Sequence, residues 1–117
     1  MPFVNFMLSP TISEEAAARV KKRTAELIQE HAGKDEGWLF VRLEGDQLLF
    51  FKGQKLGAGG VVEVKLVGSL EPDQKRHIVK DLSALLSQEL GIGAASIYVI
   101  FTEVRGEDWG WNNGTFG

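Results

Sequence analysis

Apolar and polar positions along this chain follow a pattern that occurs twice. Phe3 to Leu8 is a short apolar run closed by Ser9-Pro10, which predicts a buried strand. After it, Ala17, Val20, Thr24, Leu27, Ile28 and His31 recur at helical spacing and fall on one face. Ser13 is placed to cap that helix, Glu14 and Glu15 suit its first turn, and Gly33 is placed to end it. Trp38 to Leu43 then predicts a strand, Gly45-Asp46 a turn, and Gln47 to Phe51 another short strand.

The glycine-rich Gly57-Ala58-Gly59-Gly60 divides the halves. It lacks the Gly-Lys-Ser/Thr ending and the following helix that a phosphate cradle needs, so it reads as a linker turn. Val61 to Val67 predicts the next strand, and Pro72, with Asp73 beside it, fits the first turn of a second helix. Ile78, Leu82, Leu85, Leu86 and Leu90 form that helix's apolar face, Gly91 and Gly93 mark its end, and Ile97 to Phe101 is the last long strand. The expected fold is α/β of the α+β kind. Two β-α-β half-repeats, about residues 1–57 and 58–117, form one domain with a four-stranded sheet and two helices on one face.

Leu48 to Phe51 and Ile97 to Phe101 are apolar on both alternating faces, as strands covered on both sides are. Two helices cover only one face of a sheet, so the other face calls for a partner, and an identical chain is the default source of one.

Composition and charge mainly exclude. The 117 residues are 44% hydrophobic and 25% charged, which is ordinary for one globular domain. A net charge of -3, with basic residues scattered, argues against nucleic acid as the main partner. The one basic run, Lys21-Lys22-Arg23, lies on the solvated side of the first helical pattern. With no cysteine there is no disulfide framework and no thiolate site, which suits a reducing, cytoplasmic compartment. The opening Met1-Pro2-Phe3-Val4-Asn5 has no secretory pattern, and no run approaches the ~20 apolar residues of a membrane span.

Conventional catalytic sets are thin. His31 and His77 have no partners at metal-ligand spacing, so no metal or cofactor is expected, and no serine-elbow motif is present. Pro2 is different. Loss of Met1 leaves a rigid secondary amine at the start of a buried strand. An α-amino group titrates near ~8, and apolar surroundings or a nearby cation lower that toward the value a general base needs at neutral pH. Small residues after Met permit its removal. If Met1 stays, the Pro2 nitrogen is an amide without useful basicity.

The tail, Trp109-Gly110-Trp111-Asn112-Asn113-Gly114-Thr115-Phe116-Gly117, resembles the C-terminal signature of the macrophage migration inhibitory factor family within the tautomerase superfamily. The resemblance extends through Met1-Pro2, Gly33-Lys34, Asp46-Gln47-Leu48, Val67-Gly68 and Ile97-Tyr98-Val99. It implies a homotrimer whose three sheets wrap into a barrel with the helices outside, and active sites between subunits. It also implies a keto–enol tautomerase acting on α-keto acids such as phenylpyruvate, with Pro2 as acid/base and no cofactor. On that basis Lys34 is the pocket lysine, able to hold a substrate carboxylate and to disfavour protonation of Pro2. Val67 offers a backbone amide to the substrate, and Tyr98 is contributed by the neighbouring subunit.

The chain also departs from the family. Ile100 stands at the family's pocket asparagine, which removes a polar contact to ring substituents. Trp109 replaces a smaller aliphatic residue and either narrows the pocket or stacks on a substrate ring. Trp111 and Phe116 are expected mainly to pack the C-terminal segment, with Phe116 at the pocket rim. The Cys-x-x-Cys element of animal members falls at Gly59-Gly60-Val61-Val62, so its thiol chemistry cannot operate here. Asn113-Gly114-Thr115 matches a glycosylation sequon but reads as part of the family tail. Two alternatives stay open: a cytokine-like or scaffold protein with vestigial activity, and a superfamily decarboxylase or dehalogenase, for which Arg76 and Arg105 are the candidate extra arginines.

Overall fold

Strict alternation in the first strand sets up the architecture. In the computed structural model, which describes residues 1–117, β1 (Pro2–Leu8) buries Pro2, Val4, Phe6 and Leu8 and turns Phe3, Asn5 and Met7 to the other face. Helix α1 (Glu14–Ala32) follows, its start fixed by the Ser13 hydroxyl, which accepts the Ala16 N–H at 3.1 Å. Gly33 ends it in the left-handed conformation, at φ 66°. The chain returns through β2 (Phe40–Glu44), a hairpin of β3 (Phe50–Phe51) and β4 (Gln54–Lys55), and β5 (Gly60–Val67). Helix α2 (Pro72–Leu90), β6 (Ile97–Val104) and a terminal hairpin of β7 (Gly110–Trp111) and β8 (Gly114–Thr115) complete it.

The main sheet has the order β2-β1-β5-β6. Within each half the strands are parallel, β1 with β2 and β5 with β6, because a helix carries the chain back between them. The halves join antiparallel, β1 on β5, with Pro2 opposite Leu66 and Leu8 opposite Gly60. The core lies between this sheet and the helices: Val4, Phe6, Leu8, Val62, Val64 and Leu66 face Val20, Leu27, Ile28, Ile78, Leu82 and Leu86. Each such side chain, removed from water, contributes about 2 kcal/mol. Leu82→Ala would cost on the order of 3 kcal/mol because little around that site can collapse. Neither helix is long and apolar enough to cross a membrane.

Several boundaries differ from the sequence pattern. Trp38 belongs to a 3-10 turn, Glu36–Trp38, because the Asp35 carboxylate accepts the Gly37 N–H at 2.9 Å and closes a turn there, so that β2 begins only at Phe40, opposite Phe3. Of Gln47 to Phe51 only Phe50–Phe51 is strand, paired to Gln54–Lys55 around the left-handed Lys52 and Gly53. Gly60 is the first residue of β5 rather than linker: a Cβ there would meet Leu8 Cδ2 at 2.4 Å and the Met7 carbonyl at 3.2 Å, so any larger residue makes the buried Leu8 side chain shift. The sheet face away from the helices is mixed rather than apolar throughout. Across its middle, Arg42 donates to Asn5 (2.9 Å) and Asn5 donates to Glu63 (3.0 Å), while Phe40, Leu48, Phe50, Tyr98 and Ile100 are exposed around it.

Candidate active site

At the end of the sheet where β1 begins, a cavity of about 500 Å³ is walled almost wholly by apolar side chains. Pro2 and Phe3 come from β1, Trp38 and Phe40 from the turn and strand after α1, and Trp109, Trp111 and Phe116 from the C-terminal segment. Pro2 is buried because its position continues the alternation that buries Val4 and Phe6.

The C-terminal wall is built locally. Asn112 and Asn113 are both left-handed (φ 51° and 69°), which reverses the chain between β7 and β8, and the Phe116 N–H is shared by the carbonyls of Gly106 (3.0 Å) and Trp109 (3.3 Å). Three aromatic rings then meet. Trp38 stands edge-on to Trp111 at 4.9 Å and to Phe116 at 6.0 Å, and Trp111 stacks on Phe116 at 6.1 Å. Each such pair contributes about 1 kcal/mol beyond its buried area and tethers the tail to the turn after α1.

Charge enters at one point. Lys34, directly after the Gly33 cap, donates to the Val67 carbonyl at 3.4 Å, and the Val67 N–H donates to the Met1 carbonyl at 3.3 Å. The terminal amine, here that of Met1, is held below its ordinary value first by burial and second by the Lys34 charge. An amine held below its ordinary pKa, an ammonium and the Val67 backbone amide thus meet beside an aromatic cavity.

Of the residues singled out from sequence, Pro2, Lys34, Val67, Trp109 and Phe116 gather at this end of the molecule. Tyr98 and Ile100 do not. They pair with Val61, near the opposite end of β5 from Leu66, and with Glu63, in its middle, which puts Tyr98 about 17 Å and Ile100 about 10 Å along the sheet from Pro2. Tyr98 instead lines a smaller cavity of about 220 Å³, its ring edge-on to Phe51 at 5.3 Å. Trp111 does more than pack the tail, since it forms part of the cavity wall. Trp38, Phe3 and Phe40 escaped the sequence reading. Trp38 was hidden because it opens an apolar run that imitates a strand, and the signal that could have exposed it is Asp35-x-Gly37, a turn pattern directly before it.

The cavity wall offers no carboxylate, imidazole or thiolate to a metal. On the outer surface of the helices, Glu30, His31 and Asp81 do bring ligand-type atoms within 4.8 Å of one another, which their spacing did not show. Those groups satisfy each other: His31 Nε2 lies 2.6 Å from Asp81, and Arg23 reaches Asp81 at 3.8 Å and Glu30 at 3.9 Å. Arg76 pairs with Asp73, and Arg105 with Glu107 and Asp108; neither lines the cavity.

Known proteins are similar to this chain in sequence and in fold. A macrophage migration inhibitory factor homolog of Trichuris trichiura is 32% identical over 99% of this chain and 100% of its own length. The crystal structure of the homologue from Prochlorococcus marinus superposes with a TM-score of 0.89 at 29% identity, covering 98% of this chain and 99% of that one. Leishmania major MIF2 gives 0.90 at 23% identity, over 99% and 97% of the two chains. The family model for macrophage migration inhibitory factor (MIF) matches residues 1–117, and the chain belongs to that family.

Proposed function

We propose that this protein is a keto–enol tautomerase for α-keto acids with an aryl side chain, such as phenylpyruvate, and that the Pro2 amine, freed by removal of Met1, is its acid/base. The observation that carries this reading is the chain end itself. The Met1 terminal amine, held below its ordinary value by burial and by the Lys34 charge, lies at an aromatic cavity lined by Met1 itself and the buried Pro2.

The geometry supports a role for each group. The Lys34 ammonium pairs with the substrate carboxylate. Removal of Met1 releases the Val67 N–H that its carbonyl occupies, which leaves a backbone donor for a substrate oxygen. Trp38, Trp111 and Phe116 enclose the ring. The Pro2 nitrogen then takes a proton from the carbon next to the keto group; that C–H bond breaks, its electron pair forms the C=C bond, and the same proton is delivered to the oxygen as the enol. Reactant and product are isomers, so no other reagent is consumed.

Tyr98 and Ile100 join this site only if a second copy brings them, and the exposed residues around the open sheet face supply the contact for a homotrimer of the expected kind. A fused 4-OT protein described as a symmetric trimer shares this fold, with a TM-score of 0.84 at 18% identity. With Ile100 in place of an amide, ring hydroxyls gain no partner, so unsubstituted aryl groups are preferred. The absence of cysteine suits a cytoplasmic enzyme.

Protein whose intact mass confirms loss of Met1 should tautomerise phenylpyruvate, and Pro2→Gly should lose about 10² to 10³ of kcat/KM. Absence of a rate in the processed protein overturns the assignment.

A further inference from the structure

We propose that Gln74, seated by Glu103, is a positioning residue for the Lys34 ammonium; this rests on the reading of Lys34 and Pro2 given above. Lys34 has a single bond of its own, the 3.4 Å contact to the Val67 carbonyl. A bond that long does not hold a four-carbon side chain in place. Where the ammonium stands therefore depends on where the end of α1 stands relative to the β5–α2 turn.

Gln74 ties the end of α1 to the start of α2, whereas the His31–Asp81 pair joins the two helices only farther along α2. Gln74 Oε1 accepts the Glu71 N–H at 2.7 Å, closing the start of α2, while its Nε2 donates to the His31 carbonyl at 3.0 Å. That carbonyl belongs to the last turn of α1, where no helix N–H remains to satisfy it, and it lies three residues before Lys34. The start of α2 is itself fixed to the sheet. Glu103 on β6 accepts the Leu70 N–H at 2.6 Å and pairs with Lys75 of α2 at 3.2 Å, and the Gly68 N–H bonds the Val104 carbonyl at 2.9 Å. The Leu70 bond first, and Lys75 second, hold the Glu103 carboxyl below its ordinary range, so it stays ionised and the bonds stay charge-assisted. A continuous relay runs from β6 through Glu103, the first turn of α2 and Gln74 to the end of α1 and so to Lys34. It lies outside the cavity and touches no substrate.

The test reads the Pro2 amine directly, without turnover. In processed protein labelled with [15N]proline, the amine pKa is followed by NMR titration in wild type, Lys34→Ile, Gln74→Met and, as a control, Ile78→Val, which loosens α2 against the core without touching Gln74. Lys34→Ile should raise the pKa. Gln74→Met should raise it in the same direction by less, as expected of a displaced charge, with KM for phenylpyruvate up about five-fold and kcat changed less than about two-fold. Ile78→Val should move neither. Gln74→Glu keeps the acceptor for Glu71 and loses only the donor to His31, so α2 stays capped if the methionine variant folds poorly, and it should raise KM likewise. A wild-type pKa and KM in both Gln74 variants overturn the relay, as does a Lys34→Ile variant with an unmoved amine. No turnover in wild type, with the amine pKa still responding to Lys34 and Gln74, would sink the tautomerase reading and leave the relay standing.

Discussion

The two halves of this molecule have one architecture and opposite uses. Both helices have 19 residues and end on a left-handed glycine, Gly33 and Gly91, and both are followed by a short 3-10 turn, Glu36–Trp38 and Ala94–Ser96. At matching positions the halves diverge. The strand starts with Pro2 in one and Gly60 in the other; after the cap come Lys34 and Ile92; the turn ends in Trp38 and Ser96; and mid-helix, Thr24 corresponds to Leu82. In the second half three of these residues close the structure: Gly60 packs on Leu8, and Ile92 and Leu82 are wholly buried, while Ser96 is half-buried. The first half places an amine, a cation and an indole there instead. The proposed chemistry thus rests on the three places where the repeat is broken at its open end.

Exchanging residues between the halves tests that statement. The largest effect should come from Pro2→Gly, which installs the second half's residue, removes the rigid secondary amine and costs about 10² to 10³ in kcat/KM, while the melting temperature stays near wild type. Ile92→Lys makes the reverse transfer into a fully buried site; unfolding by urea should show a loss of roughly 3 kcal/mol, since an unpaired charge has no partner there. Its mirror, Lys34→Ile, should leave stability within about 0.5 kcal/mol but alter the pH profile. Burial first and the Lys34 charge second lower the pKa of the Met1 terminal amine; on the proposed reading Lys34 does the same for the Pro2 amine, so without it that amine stays protonated to higher pH and the rising limb of kcat/KM moves up. Trp38→Ser should open the cavity and raise KM about ten-fold with little change in kcat. The smallest effect is a gain: Thr24 buries a hydroxyl with no hydrogen-bond partner, and Thr24→Val, apolar like its counterpart Leu82, should stabilise by about 1 kcal/mol.

Much of this was legible in the chain. Phe3 to Leu8, the helical stripes, Ser13, Gly33, Pro72 and Gly91 each obey a local rule, because strand alternation and helix termination depend on neighbouring residues alone. The boundary at Trp38 is local, set by Asp35 capping a turn that the following apolar run masks, whereas those at Gln47 and Gly60 are decided across the chain, by the Gln47 N–H bonding the Leu8 carbonyl and by Leu8 packing on Gly60. The polar row Arg42-Asn5-Glu63 was invisible for the same reason, since its members are distant in sequence and meet only in the sheet register. Lys34, Val67, Trp109 and Phe116 were found through the tail motif; nothing in their own spacing would have joined them to Pro2. Gln74 could have been suspected as a helix cap, but its second bond requires knowing that α1 ends beside α2.

The pairing of Pro2 with Leu66 carries a consequence for how the protein is made. As the chain emerges from the ribosome, β1 comes first and β5 follows on the order of several seconds later. Until then the first residues hang free, open to a peptidase. Once β5 docks, the Val67 N–H grips the Met1 carbonyl and Pro2 is covered. On the proposed reading of Pro2, maturation of the amine is a race between cleavage and strand pairing, and a preparation made too fast for its host's peptidase is expected to contain well-folded molecules that keep a single methionine and show no tautomerase rate.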